Sequence, residues 1–179
     1  MLKIFLTDLA AYNNGYLVGE WLTLPLETEE LEANIKEILA KGEELCGDRF
    51  SDEFFITDYE WEDVSIFSVD EYENIYTLNE KIKLIEESIE PWQHRIVKVL
   101  LDNGLVNTLE DAIDKVDEVV VYENSTMADI VEQYIEEYTD LNAYHPLIVA
   151  HIDYEGIGRD LELEGNFFRE NSDIFQFLG

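Results

Sequence analysis

Bases, cysteine and histidine are scarce in this sequence, and each shortage excludes something. Against 42 Asp plus Glu stand 11 Lys plus Arg in 179 residues, a formal net charge of -31. Such a chain repels nucleic acid and anionic membranes, so direct binding to either is not expected and the partner it calls for is basic. The single cysteine, Cys46, leaves no internal disulfide framework and no cysteine-built zinc site, which fits a reducing compartment. The three histidines, His94, His145 and His151, stand neither at H-x-x-x-H nor beside a second ligand type at metal spacing, so no metal is expected. No apolar run approaches the ~20 residues that span a bilayer. The amino terminus has no basic segment leading into an apolar one, so a cytoplasmic protein is expected.

What is present is enough to fold. Hydrophobic residues make up 46% of the chain and aromatic residues 12%, far from a disordered composition. The charge exceeds what solubility asks of a small domain, and it acts against compaction by self-repulsion. Duplex DNA carries about one charge per 1.7 Å of axis, so a net charge of -31 equals that on roughly 53 Å of duplex. A compact globule of this length has a radius of gyration near ~16 Å. Charge at DNA density would therefore need a longer body.

Taken in order, Leu2 to Thr7 alternates as a first strand, and Tyr12-Asn13-Asn14-Gly15 supplies turn chemistry before a second strand from Tyr16 to Leu24. Thr28 is placed to cap a helix that buries Leu31, Ile35, Ile38 and Leu39 and stops at Gly42. A long loop from Gly42 to Ser51 leads to a third strand, Phe54 to Trp61. From Ser68 the period becomes helical: Thr77 with Glu80 boxes one helix, Pro91 opens another, and Gly104 ends it. Thr108 with Asp111 boxes a helix to about Val116, and β-branched Val119 to Tyr122 reads as a strand. A helix begins at Thr126, and Pro146 starts a short helix or turn. Gly156 to Asp160 reads as a tight turn into a hairpin of Leu161 to Phe168 and Ile174 to Leu178.

The fold class expected is α+β, elongated, in three small segments. These are a sheet with one helix over 1–63, a helical bundle over 64–106, and a mixed segment over 107–179 with an acidic helix and a terminal hairpin. Cut at residues 63 and 109, the segments hold 16 acids against 4 bases, 8 against 4, and 18 against 3.

The most informative stretch runs from Ser125 to Asp140. Met127, Ile130, Val131, Tyr134, Ile135 and Tyr138 form an apolar stripe at helical period. Asp129, Glu132, Glu136, Glu137 and Asp140 follow the same spacing two positions along, with no Lys or Arg between Asn124 and Asp140. Exposed helices ordinarily pair Glu with Lys at i, i+4 for roughly 0.2–0.5 kcal/mol, and like charges cost about as much. Only like-charge neighbours occur here: Asp129/Glu132, Glu132/Glu136, Glu136/Asp140 and Glu137/Asp140. A solvated face is the bland explanation of such a row. Thr126 with Asp129 supplies the box that starts the helix.

Other chemistries find little support. Gly156-Ile157-Gly158-Arg159-Asp160 lacks the third glycine of a dinucleotide loop, and no twelve-residue calcium loop occurs. No Ser, His and Asp grouping stands out, so neither a catalytic residue nor a cofactor is expected. A salt-adapted protein would share the acidity, but it would spread carboxylates rather than align them in unbroken rows. An acidic chaperone or regulator of basic DNA-binding proteins is the second reading that composition allows.

Thr7-Asp8-Leu9-Ala10-Ala11-Tyr12-Asn13-Asn14-Gly15, Gly19-Glu20-Trp21 and Thr57-Asp58-Tyr59-Glu60 together resemble the amino-terminal signature of the ArdA antirestriction proteins. Ile152-Asp153-Tyr154 with Gly158-Arg159-Asp160-Leu161 resembles that family's carboxyl-terminal motif, and Met127 to Thr139 its acidic antirestriction motif. The resemblance covers nearly the whole chain. It implies a DNA mimic carried by mobile elements, an elongated three-part homodimer that occupies the DNA-binding channel of type I restriction-modification enzymes without catalysis. On that basis Asp111, Asp114, Asp129, Glu132, Glu136, Glu137 and Asp140 are expected to stand in for phosphates. The apolar run Val119, Val120 and Val121 is expected at a dimer interface.

Overall fold

The computed structural model describes residues 1–47 and 52–179, and the chain divides into two units, Met1–Lys98 and Val99–Gly179. Both are mixed α+β, each built on a three-stranded antiparallel sheet.

In the first unit β1 (Leu2–Asp8) is the central strand, flanked by β2 (Gly19–Leu24) and β3 (Phe54–Trp61). Leu2, Ile4 and Leu6 alternate onto one face and are fully buried, as the period-2 pattern requires. Thr7 and Thr57 bring their hydroxyls to 2.8 Å near the bulge where β3 carries an extra residue against Phe5 and Leu6. The long helix α2 (Thr28–Cys46) packs on β1, with Leu31 and Ile38 inward. Helix α3 (Ile75–Ser88) adds Leu78, Ile82 and Ile85 to the core.

Several local expectations are corrected here. The stretch read as a turn between two strands contains a short helix, α1 (Leu9–Asn13), because Asp8 Oδ1 accepts from the Ala11 amide at 2.9 Å and nucleates a helical turn. The second strand consequently begins at Gly19 rather than Tyr16. Thr28 is not the cap of α2 but lies within it, after Glu27, which makes no side-chain cap bond. Gly42 does not end that helix. It is buried where the Asp8 carboxylate crosses α2, a place where a Cβ would collide with that side chain. The helix ends instead at Gly47, whose φ of 81° is the left-handed cap conformation. The rest of the expected loop, residues 48–51, lies outside the described residues.

The helical period expected from Ser68 starts only at Ile75. The segment before it runs beside β3, where the Ile56 amide donates to Glu71 O at 2.8 Å. Asn74 Oδ1, rather than a Thr77 box, closes the first turn of α3 by accepting from the Tyr76 and Thr77 amides. A 3-10 turn, Pro91–Gln93, then leads into α4 (His94–Asp102), with proline at the start as expected.

In the second unit the order is α5 (Leu109–Asp114), a 3-10 turn, β4 (Val119–Tyr122), α6 (Met127–Tyr138), α7 (Pro146–Val149), α8 (Tyr154–Leu163), β5 (Phe167–Glu170) and β6 (Asp173–Phe177). β6 is the central strand and pairs with β4 from Val119↔Phe177 to Tyr122↔Ile174. The terminal hairpin turns through Asn171, at φ 56°, and Ser172. Its first arm is shorter than expected, because Tyr154 to Leu163 is helix and not a tight turn followed by strand. Asp153 Oδ1 caps that helix by accepting from the Gly156 amide at 2.9 Å. Gly158 lies against Met127, where a Cβ would come within 2.8 Å of the Met127 Cβ, so here glycine permits close helix packing.

Asn79 is a buried polar residue of the first core. Buried on α3, its amide donates to Leu26 O and accepts from Leu26 N, both at 2.8 Å, pinning the entry to α2. Asn79→Ala should therefore lower stability by about 2 kcal/mol, since both backbone groups of Leu26 lose their partner. Denaturant unfolding monitored by tryptophan fluorescence measures this, and an unchanged midpoint would show that water replaces the amide without cost.

Candidate partner-binding surface

Helix α6 starts where the sequence places it. Thr126 Oγ1 accepts from the Asp129 amide at 3.2 Å, and Asp129 Oδ2 accepts in return from Thr126 N and Oγ1, each at 2.7 Å. These bonds to the charged form hold the Asp129 carboxyl below its ordinary range, the Thr126 hydroxyl contributing most. One face of α6 is anchored: Met127, Ile130 and Ile174 form a buried cluster against which Tyr122, Tyr134, Leu161 and Phe167 pack. At its margin the Tyr122 and Tyr134 hydroxyls lie 3.2 Å apart and both donate to Gln176 Oε1, at 3.0 and 2.9 Å. Burial, and then the neighbouring Tyr134 hydroxyl, push the Tyr122 phenol upward, so it stays neutral.

The apolar stripe stops one turn early. Tyr138 is 73% exposed, stacked on Tyr134 at 6.0 Å, because the last turn of α6 runs past the cluster that buries its first half. The helix also closes before Asp140. Thr139 is extended, and Asp140 instead caps the 3-10 turn Leu141–Ala143 by accepting from the Asn142 amide at 3.1 Å. The like-charge neighbours within the helix are therefore Asp129/Glu132 and Glu132/Glu136, and the two pairs that include Asp140 are not helical neighbours.

On the opposite face Asp129, Glu132, Glu136 and Glu137 are exposed, as is Asp140 beyond the helix end. Asp111 and Asp114 are exposed on α5 of the same unit, where Thr108 Oγ1 caps by accepting from the Asp111 amide at 3.0 Å. None of these seven carboxylates meets a Lys or Arg among the described residues. The unit has 19 Asp plus Glu against 3 Lys plus Arg, and its bases are turned elsewhere. Lys115 lies 3.8 Å from Glu118 and over the Phe177 ring. Arg169 pairs with Glu162, and Arg159 lines a cavity with it at the amino end of α6. The carboxyl half of α6 is left with negative charge alone. Sequence reasoning missed this disposal of the three bases, which depends on contacts far apart in the chain.

Chemically such a surface can attract and hold cationic groups. Among the described residues no group of His, Cys, Asp and Glu is arranged to hold a metal ion, and no helix is long and apolar enough to cross a membrane. The family model described as antirestriction protein (ArdA) matches residues 4–176. The chain belongs to the ArdA family. No curated protein matches it. Membership in ArdA makes it an antirestriction protein, whose partners are restriction enzymes, and it bears out the family resemblance read from the amino-terminal, acidic and carboxyl-terminal motifs.

The cap of α6 is the local device that holds this surface in register, and it can be tested alone. Thr126→Ala should cost about 1 kcal/mol through loss of the side-chain cap. It should also let the Asp129 carboxyl titrate closer to an ordinary aspartate, as followed by carboxyl-detected NMR. Since the folded-state value is lowered, Asp129 contributes stability above its unfolded value of 3.8, and this is lost as pH falls through the folded value. An unmoved Asp129 titration in the variant would show that Thr126 is not the cause.

Proposed function

We propose that the chain is a DNA mimic that occupies the DNA-binding site of type I restriction-modification enzymes and blocks them by competition. The observation that carries this reading is the row of unpaired, exposed carboxylates in the second unit. Asp111, Asp114, Asp129, Glu132, Glu136, Glu137 and Asp140 stand in for phosphates and engage Lys and Arg of the cleft. Asp129 and Asp140 already serve as caps, so Glu132, Glu136 and Glu137 are the freest to do so. No bond is made or broken, and affinity comes from ion pairing with release of counterions.

The same proposal includes a homodimer and the three-segment division near residues 63 and 106. β4 is an edge strand with one side unpaired in the sheet, and edge strands invite pairing. Val120 is 37% exposed there, between half-buried Val119 and Val121. Tyr144, Leu147 and Ile148 in the same unit are also large, apolar and exposed, which supports a covering partner. A two-fold contact through this third of the chain would cover them with the same surface of a second copy.

Two measurements test these claims. The triple substitution Glu132→Gln, Glu136→Gln and Glu137→Gln removes like-charge repulsion, so the melting temperature should hold or rise. Inhibition of a type I enzyme should weaken, and its logarithmic dependence on salt should become shallower as fewer ions are exchanged. Unchanged inhibition at two salt concentrations would remove this stripe from the mimic surface, while loss of both stability and inhibition would make it structural. For the dimer, light scattering should give twice the chain mass at micromolar concentration for the native protein and a lower mass for Val120→Lys. A native monomer would end that part of the proposal.

A further inference from the structure

The first unit already holds one of its own cations with an aromatic face and a carboxylate. Lys81 on α3 places Nζ 5.5 Å from the centroid of Phe67 and 2.8 Å from Glu73 Oε1. Next to Glu73 in the chain, Tyr72 is stacked on Phe55 at 5.9 Å with an interplanar angle of 18°, and Tyr12 meets Phe55 edge-on at 5.2 Å. Tyr72 nonetheless keeps 71% of its surface exposed. Tyr72 and Glu73 line the space around Lys81, and they also line a second cavity, of about 240 Å³, with Phe54, Phe55, Asn74 and Tyr76.

Among the described residues no Lys or Arg lines this second cavity. Its volume of about 240 Å³ compares with ~30 Å³ per water molecule in the liquid. It is smaller than the ~300–1,000 Å³ that cofactors and drug-sized ligands occupy, and its scale is that of one inserted side chain. Acid pairs precede both aromatic segments, Asp52-Glu53 before Phe54-Phe55 and Asp70-Glu71 before Tyr72. A cation approaching the rings therefore arrives in a negative field. Between the two common cationic side chains, ring faces beside a carboxylate favour guanidinium. It is planar, weakly hydrated and stacks on aromatic rings, whereas ammonium is a strongly hydrated point charge.

We propose that this cavity is an arginine slot that docks one arginine side chain of a basic protein partner, stacked on the Tyr72 and Tyr76 rings, with Glu73, whose Oε1 Lys81 already holds, offering Oε2 as the anion. The slot adds side-chain selectivity to a surface whose other contacts are charge alone, and it does not depend on the carboxylate row of α6.

Isothermal titration at about 0.15 M salt with two capped peptides, one alternating Gly with Arg and its Gly-Lys twin of equal length, tests the slot. The native protein should bind the arginine peptide about threefold or more tightly than the lysine peptide. Tyr72→Ala should bring that ratio close to one while leaving affinity for the lysine peptide unchanged, and Tyr72→Phe, which keeps the ring, should retain it. Equal binding of both peptides by the native protein would overturn the slot, as would an arginine preference that survives in Tyr72→Ala. Tyr72 is exposed but stacks on Phe55, so its truncation should lower the melting temperature only slightly, and a fall that takes binding of the lysine peptide with it would mark the ring as structural and overturn the assignment. The α6 triple glutamine variant keeps failure of the slot apart from failure of the mimic surface. It should weaken both peptides alike with the ratio intact, so failure of the mimic surface shows in absolute affinity and failure of the slot in the ratio.

Discussion

Self-repulsion is the constraint that every other feature of this protein answers. With a net charge of -31, each unit must gather enough apolar surface to hold against its own field. It does so by strict separation of faces: strand β1 buries Leu2, Ile4 and Leu6, while α2 and α6 bury single stripes. At about 25 cal/mol per Å² of apolar area, one buried leucine or isoleucine contributes roughly 1.5–3 kcal/mol. A like-charge helical pair costs only about 0.2–0.5 kcal/mol. A modest core therefore outweighs a row of unneutralised carboxylates, and the acidity is sustainable without internal cations to balance it.

What the few cations do instead is tie particular segments together. Lys41 bridges Glu20 on β2 and Glu37 on its own helix, and those bonds raise its ammonium above the usual range. Lys81 reaches from α3 to Glu73, and Lys3 on β1 to Glu62. In the second unit Arg169 joins β5 to Glu162 on α8. Exposed pairs of this kind are worth little individually, but each occupies a base that would otherwise neutralise an acidic row. The result, in the second unit, is that the carboxyl half of α6 carries negative charge with no base beside it.

Elements whose signals were local and unopposed were legible in the sequence. β3 and β4 have the bounds their β-branched and aromatic runs indicate, and α6 begins at its Thr126 box. The misses have two physical causes: a side-chain cap that the pattern did not single out, as at Asp8, Asn74 and Asp153, or a contact distant in sequence, as at Gly42 and Gly158. Asn13-Asn14-Gly15 is good turn chemistry, yet the Asp8 carboxylate, which also faces Gly42 on α2, draws the preceding residues into helix. Gly156 and Gly158 look like turn residues, but Gly156 sits under the Asp153 cap and Gly158 lies against Met127, where glycine allows α8 to pack close. Leu161-Glu162-Leu163-Glu164 alternates well for a strand, but four residues fit either period and the cap at Asp153 settles the matter upstream. The acidic site residues were legible as a row, and their exposure follows from the buried face opposite. Their lack of partners was not legible, since it depends on where Lys115, Arg159 and Arg169 are drawn by tertiary packing.

That last dependence bears on how the acidity is best understood. Adaptation to salt asks only that carboxylates be numerous and hydrated, and it places no demand on where the remaining bases go. A surface that must meet a basic cleft has a stricter requirement, because any base within a few ångströms of the row would neutralise locally the field that draws the partner. In the second unit Lys115 is turned to Glu118 and the Phe177 ring, and Arg169 to Glu162, with Arg159 beside it at the amino end of α6. Each disposition is a small preference on its own. Together they leave Glu132, Glu136 and Glu137 without a counter-charge among the described residues, the arrangement that the proposed binding to a basic cleft requires and that hydration alone does not.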